Sequence, residues 1–183
     1  MTSYAVFLRG INVGGINIKM ADLKEALKEG PFTGVKTLLA SGNVVLASDL
    51  DPAGVKKEFE ATLRKAFGYD AWVVVLTAGR VAELVAVCRY PADDKSTHTY
   101  LTLASDTASL DELFATGKAL DGVEQERLGP EALAWLAPAG GTLESPFSKL
   151  TAKPKYKTST TTRNLRTMVK VRDAAAALDT AAG

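Results

Sequence analysis

The sequence has little of the chemistry that most enzymes use. Its 183 residues include one cysteine, Cys88, and one histidine, His98. One cysteine cannot form a disulfide within the chain, and so few thiol and imidazole groups exclude a Cys/His zinc centre. The sequence also lacks the GxSxG and SxxK motifs of common serine nucleophiles. We therefore predict no metal, no cofactor and no catalytic residue, and an enzyme is not the favoured class.

The sequence also lacks any long hydrophobic run. No apolar stretch approaches the roughly 20 residues that a membrane-spanning helix requires. The first ten residues, MTSYAVFLRG, do not resemble a signal peptide, because a basic start is missing and the apolar run ends at Arg9. With 46% hydrophobic and 23% charged residues, the chain has the composition of a globular protein. We expect a cytoplasmic protein with a packed core and no membrane partner.

The first 77 residues predict the element order β-α-β-β-α-β, which is that of a ferredoxin-like fold. Gly30 and Pro31 end the first predicted helix, and Asp51 with Pro52 begins the second. Ser41-Gly42-Asn43 predicts a hairpin turn. The predicted strands and helices of this part are Tyr4–Leu8, Met20–Gly30, Val35–Leu39, Val44–Ala47, Pro52–Phe67 and Ala71–Leu76.

Residues 78–183 predict a second ferredoxin-like subdomain with the circularly shifted order α-β-α-β-β-α. Its strands are predicted at His98–Leu103, Val123–Leu128 and Ala132–Leu136, and its last helix from near Thr160–Thr162. The polar, Pro-containing stretch TAKPKYKTST predicts a mobile loop before that helix. The predicted fold class is thus α+β, with two tandem ferredoxin-like subdomains, 1–77 and 78–183, that have antiparallel sheets.

Four strings in the sequence resemble a bacterial family known as domain of unknown function family 1697. They are LRGINVGG, SGNVVL, SKL and TTRNLRTMVK, at Leu8–Gly15, Ser41–Leu46, Ser148–Leu150 and Thr161–Lys170. One departure is Leu165, where members of the family commonly have tryptophan. The resemblance implies a tandem arrangement of two ferredoxin-like halves, and it implies no activity.

The first candidate site lies where two loops of the first predicted subdomain meet. Because the first two strands of β-α-β-β-α-β run the same way, the loop after the first strand and the hairpin turn share one edge of the sheet. Small residues, amide side chains and a guanidinium at such an edge can hold a phosphate or carboxylate. The alternative is that glycine and asparagine serve only turn geometry. The candidate residues are Arg9, Asn12, Gly14, Gly15, Ser41 and Asn43.

The second candidate site lies at the predicted start of the last helix. A helix N-terminus is electropositive, yet this segment carries Arg163 and Arg166 and no carboxylate. A bound anion would turn that arrangement into a favourable one, with Lys149 as a further contributor. The alternative is a simple threonine cap with a solvated Arg163. The other candidate residues are Thr161, Thr162 and Asn164, and the sequence leaves open whether they lie near the first site.

The same region is strongly basic. Eight of the 22 Lys and Arg residues, and no Asp or Glu, lie between Lys149 and Arg172. Since the whole chain has a net charge of +1, the remainder carries −7. The favoured partner is an anionic small molecule, and the alternative is nucleic acid bound without sequence preference. Nucleic acid is the less favoured partner because the strands lack the exposed aromatic pattern of RNA-binding sheets. The sequence does not indicate whether the chain is a monomer or an oligomer.

Overall fold

Two four-stranded antiparallel sheets, each packed with helices, form the framework of the chain. The computed structural model describes residues 1–11, 16–92 and 94–181. The chain folds as two units: Met1–Ala82 with the residues from Lys170 onward, and Glu83–Val169. The sequence-based division into domains at residues 77 and 78 stays a prediction.

The first sheet has the strand order β2-β3-β1-β4, with β1 antiparallel to both of its neighbours. This order and the alternation of elements are those of the ferredoxin-like fold that the sequence predicts. The elements are β1 (Thr2–Leu8), α1 (Met20–Leu27), β2 (Thr33–Leu38), β3 (Asn43–Ser48), α2 (Pro52–Phe67) and β4 (Val73–Thr77).

Helix α2 shows how the sequence fixes an element of the first unit. Asp51 accepts a hydrogen bond from the Gly54 N–H at 2.7 Å, as an N-cap residue does, and Pro52 occupies the first turn. Its apolar stripe, spaced every four residues, is fully buried in the core beneath the sheet. Burial of each such side chain contributes about 1.5–3 kcal/mol. The stripe residues are Val55, Phe59 and Leu63.

The second sheet has the equivalent strand order, β6-β7-β5-β8, with β5 antiparallel to β7 and β8. Two four-stranded antiparallel sheets of this kind confirm the predicted fold class. The remaining elements are α3 (Ala78–Val87), β5 (Thr97–Ala104), α4 (Thr107–Lys118), β6 (Gln125–Gly129), β7 (Ala132–Pro138), a 3-10 turn (Thr142–Glu144), α5 (Pro146–Thr151), α6 (Pro154–Lys157), β8 (Thr160–Asn164) and α7 (Leu165–Ala181).

The strand β8 corrects the sequence analysis. Thr160–Asn164 is not the start of the last helix but the edge strand beside β5, and α7 begins only at Leu165. The run of threonines favours a strand because a β-branched side chain packs well on a pleated surface. With β8 included, the segment from β5 to β8 repeats the order β-α-β-β-α-β rather than a shifted form of it.

The segment TAKPKYKTST forms regular secondary structure instead of the predicted loop. It contains the end of α5, the short helix α6 and the start of β8. Tyr156 is 1% exposed and belongs to the second core with Trp135 and Phe147. The sequence signal for a loop was the proline, but Pro154 occupies the first turn of α6, where it is tolerated.

The end of the last helix packs within the first unit. A Cβ added at Gly34, which has φ +61°, would lie 2.3 Å from Cδ1 of Leu178. Glycine at this position therefore allows the close approach of α7 to β2. Among the helices that the structure describes, none has the length and apolar character needed to cross a membrane.

Candidate functional site

The end of β1 and the turn between β2 and β3 meet at one edge of the first sheet. Phe7 lies opposite Asn43 in the register, and the Leu8 N–H donates to the Gly42 carbonyl at 2.8 Å. The prediction that these two loops share an edge is confirmed. Asn12, Gly14 and Gly15 lie outside the described residues.

The turn itself is held by asparagine and glycine. Asn43 is fully buried, and its Nδ2 donates to the Leu38 carbonyl at 2.9 Å and to Oγ of Ser41 at 3.0 Å. Gly42 has φ +78°, and an added Cβ would lie 2.6 Å from Cδ1 of Ile11. These contacts give both residues a role in turn geometry, as the alternative interpretation proposed. Ser41, like Leu39 and Ala40 before it in the turn, is exposed.

Arg9 is the cation at this edge. It is half-buried, and its backbone N–H donates to the Trp72 carbonyl at 3.0 Å, which fixes it beside the start of β4. Burial lowers the pKa of the Arg9 guanidinium, because desolvation disfavours its charged form. Arginine nevertheless stays protonated at neutral pH. The surroundings therefore remove part of the hydration from a side chain that keeps its positive charge.

A second group of polar contacts adjoins Arg9. The indole of Trp72 is half-buried, and its ring centroid lies 4.7 Å from Nζ of Lys56. The same Nζ donates to Glu60 Oε1 at 2.5 Å and to the Val73 carbonyl at 2.7 Å. Glu60 Oε1 also accepts the Val73 N–H at 3.1 Å. The spacing of Lys56 and Glu60, four residues apart on α2, is the one sequence signal for this cluster.

The second group of predicted site residues lies on β8 and not at a helix start. The cap of α7 is Asn164, whose Oδ1 accepts the Arg166 N–H at 2.8 Å. The prediction that Thr161 or Thr162 caps the helix is wrong. Thr162 Oγ1 lies 2.9 Å from Oγ1 of Thr102, across the sheet. Residues 160–164 therefore offer an anion no threonine-capped helix N-terminus.

Arg163 is buried, with 7% of its surface exposed. Its Nη1 donates to Oγ1 of Thr161 at 2.8 Å and to the Thr162 carbonyl at 2.9 Å. The interpretation of Arg163 as a solvated side chain is thus also wrong. Anion binding by Arg163, Thr161, Thr162 and Asn164 stays a prediction.

Ion pairs neutralise part of the basic segment. Lys149, whose side chain is 61% exposed, pairs with Glu144 at 3.1 Å. Lys155 pairs with Glu112, and Arg172 pairs with Asp173. Glu112 and Glu144 lie outside the segment and Asp173 directly follows it, so the sequence of the segment alone does not reveal these partners. The basic residues of the segment that remain exposed without an ion pair in the described part of the chain are Lys153, Lys157, Arg166 and Lys170.

The residues with chemistry of their own are not brought together. Burial raises the pKa of the Cys88 thiol, which makes it a poor nucleophile. The ring of His98 lies edge-on to Tyr100, with 6.5 Å between ring centroids. Within residues 1–11, 16–92 and 94–181, no group of three or more His, Cys, Asp or Glu side chains is arranged to hold a metal ion.

Comparison with known proteins places the chain by sequence and by fold. A family model described as "Protein of unknown function (DUF1697)" matches residues 1–133. The structure of a conserved bacterial protein from Streptococcus pneumoniae superposes with a TM-score of 0.78 at 21% sequence identity. The match covers 95% of this chain and 98% of that one, so the two proteins share their fold over almost their whole length. A comparison with curated proteins finds no match to the sequence.

Proposed function

Because the chain belongs to DUF1697, a family of proteins of unknown function, we propose its function from the geometry of the molecule rather than from the family. The proposed function is the binding of a small molecule that carries a phosphate or carboxylate group. The binding place is the edge of the first sheet where Arg9 and Ser41 lie.

The observation that carries the proposal is the half-buried guanidinium of Arg9. Burial leaves the charged form of its guanidinium less well solvated than that of an arginine in water, and this lowers its pKa. An anion beside it would recover that loss and form charge-assisted hydrogen bonds, each worth about 1.5–3 kcal/mol. The planar fork of arginine donors fits both phosphate and carboxylate oxygens.

The surroundings of Arg9 favour a small ligand. The Leu8–Gly42 hydrogen bond and the close approach of Ile11 to Gly42 fix the turn against the end of β1. Ser41, an exposed residue of this turn whose hydroxyl accepts a hydrogen bond from Asn43, lies at the same edge. A site that is already rigid loses little conformational entropy when a ligand binds.

Thermal denaturation with inorganic phosphate, citrate and a nucleoside monophosphate tests this proposal. A ligand at 100 times its Kd adds about 2.7 kcal/mol to the stability of the protein, which corresponds to a rise of several degrees in Tm. We expect at least one of these anions to raise the Tm of the unaltered protein. Arg9→Gln should remove the rise.

The matched control is Arg64→Gln, which alters an arginine of the same unit that is 71% exposed and paired with Asp70 at 2.7 Å. This variant should keep the full rise in Tm. If Arg9→Gln and Arg64→Gln respond to the anions equally, Arg9 does not bind them and the proposal is wrong.

Nucleic-acid binding is the second candidate, and the exposed cations of the second unit favour it. Lys153, Lys157 and Arg166 carry no ion pair in the described part of the chain. Three phosphate contacts predict a slope of roughly −3 in a plot of log K against log salt concentration for duplex DNA. Fluorescence anisotropy with a labelled duplex would measure it, and K153A/K157A should bring the slope close to −1. Absence of binding at low salt would eliminate this candidate.

A further inference from the structure

A cavity of about 400 Å³ opens on the second unit, and its lining residues include none of the proposed anion site. Its apolar lining comes from Val123, Leu136 and Phe147, with Pro138 and Pro146 beside them. Phe147 is 1% exposed and Val123 packs against the second core, so the floor of the cavity is part of that core. The volume is within the range of roughly 300–1,000 Å³ that is typical of small-molecule sites.

The charged groups that line this cavity are both acidic. They are Asp121, in the connection between α4 and β6, and Glu144, at the end of the 3-10 turn. The hydroxyl of Ser145 donates to the Thr142 carbonyl at 2.7 Å and accepts the Ser148 N–H at 3.3 Å, which caps α5. Ser145 is therefore used within the fold, and the two carboxylates decide which charge a ligand should carry.

We infer that this cavity binds a small primary amine that carries an apolar chain or ring. The apolar part would contact Leu136 and Phe147, and the ammonium group would lie between Asp121 and Glu144. An apolar pocket with a few polar groups that fix the orientation of the ligand is the usual form of a small-molecule site. The inference does not depend on the proposed anion site, because it involves other residues and the opposite charge.

Lys149 places an ammonium group against one of the two carboxylates. Its Nζ lies 3.1 Å from Glu144 Oε2, with 61% of the Lys149 side chain and 82% of the Glu144 side chain exposed. An exposed pair of this kind contributes little to stability, so a ligand amine can replace Lys149 at small cost. Lys149 would act as a competitor of the ligand rather than as part of an anion site.

Titration of the full chain with n-butylamine, n-hexylamine and n-octylamine, followed by methyl NMR, tests the inference. We expect saturable shifts of the Val123 and Leu136 methyl signals and none of Leu143, which is 80% exposed and does not line the cavity. Affinity should rise about fourfold for each added methylene group that is buried. The matching alcohol should bind more weakly than each amine, and the carboxylate more weakly still.

Surface variants separate the role of charge from that of folding. Lys149→Ala removes the competitor and should raise the affinity for hexylamine about two- to fivefold, whereas Lys155→Ala, whose partner is Glu112, should leave it unchanged. D121N/E144Q should abolish the preference for hexylamine over hexanol. Glu112→Gln is the matched control for that double variant.

Three results would overturn the inference. The first is a lack of saturable methyl shifts at Val123 and Leu136 up to millimolar amine. The second is equal binding of hexylamine and hexanoate to the unaltered protein. The third is a loss of amine binding in Leu143→Ala that equals the loss in D121N/E144Q. Because Leu143 does not line the cavity, that result would indicate an exposed surface for a protein partner instead of a cavity ligand.

Discussion

At the scale of single residues, Tyr69 carries a hydroxyl that is buried without a hydrogen-bond partner among the described residues. A buried polar group that lacks a partner costs about 1–3 kcal/mol. Tyr69→Phe removes the hydroxyl and keeps the ring that packs on the first core. We expect the variant to be more stable than the unaltered protein by about 1 kcal/mol in urea denaturation at pH 7.

The same residue gives the protein a dependence on alkaline pH. Burial raises the pKa of Tyr69 to about 12, above the ordinary value of 10.0. Between these values the unfolded state loses the proton while the folded state keeps it, so stability falls as pH rises from about 10 to about 12. Below pH 10 both states hold the proton and Tyr69 contributes no slope.

Tyr69→Phe should flatten that alkaline fall in stability, with Tyr156→Phe as the comparison. Tyr156 OH is 3.3 Å from Glu112 Oε1, and so it has the partner that Tyr69 lacks. Tyr156→Phe should therefore destabilise the protein. Two variants that respond with the same sign would contradict the account of Tyr69.

The residues of the proposed anion site differ in how far their surroundings can be predicted from the sequence. The sequence places Arg9, Ser41 and Asn43 at one edge of the sheet, because the order of the strands follows from the alternation of predicted strands and helices. The burial of Arg9 and the contact of Trp72 with Lys56 could not be predicted, because each depends on how distant parts of the chain pack at the start of β4. The spacing of Lys56 and Glu60 on α2 indicates that these two side chains meet, but it does not indicate what they pack against.

At the scale of elements, the boundary between β8 and α7 depends on Asn164. Its side chain caps the helix through the Arg166 N–H at 2.8 Å. Asn164→Ala should destabilise the protein by about 1 kcal/mol in urea denaturation, and Asn164→Ser should restore most of the loss, because serine also caps well.

Thr162 provides the control for this cap. If the helix began at Thr160–Thr162, Thr162→Ala would be the variant that removes the cap. In the structure, Thr162 instead contacts Oγ1 of Thr102 within the sheet. A stable Asn164→Ala protein would show that Asn164 does not cap α7.

The elements also differ in how well the sequence predicted them. Helix α2 was predictable because Asp51, Pro52 and the apolar stripe all indicate the same boundaries. Strand β8 was not predictable, because TSTTTRN is compatible both with a helix start that a threonine caps and with an edge strand. Pairing with β5 decides in favour of the strand. Tertiary contacts override local propensity where the local signals conflict.

At the scale of the whole molecule, two sheets of the same order arise from halves without visible sequence repetition. The orders β2-β3-β1-β4 and β6-β7-β5-β8 each place the first strand of a β-α-β-β-α-β unit at the centre. The last helix, which starts after β8, ends on β2 with Leu178 packed against Gly34. The fold class was predictable from the alternation of elements, whereas this return of α7 to the first unit was not.

The proposed function gives the first unit one defined ligand site and leaves the basic residues between Lys149 and Arg172 with a smaller role. Lys149, Lys155 and Arg172 are engaged in ion pairs, and Arg163 is buried. If the account is right, the response to a small anion should be confined to the edge of the first sheet. A general positive surface would instead respond over many residues and would weaken steadily with salt.

An NMR titration of the ¹⁵N-labelled full chain with inorganic phosphate tests this claim most directly. We predict saturable shifts of the Arg9 side-chain Nε–H signal and of the Ser41 and Gly42 amide signals, at fixed ionic strength. The amide signals of Lys153 and Lys157 should remain in place. Unsaturable shifts, or saturable shifts only around Lys153 and Lys157, would contradict an anion site at Arg9.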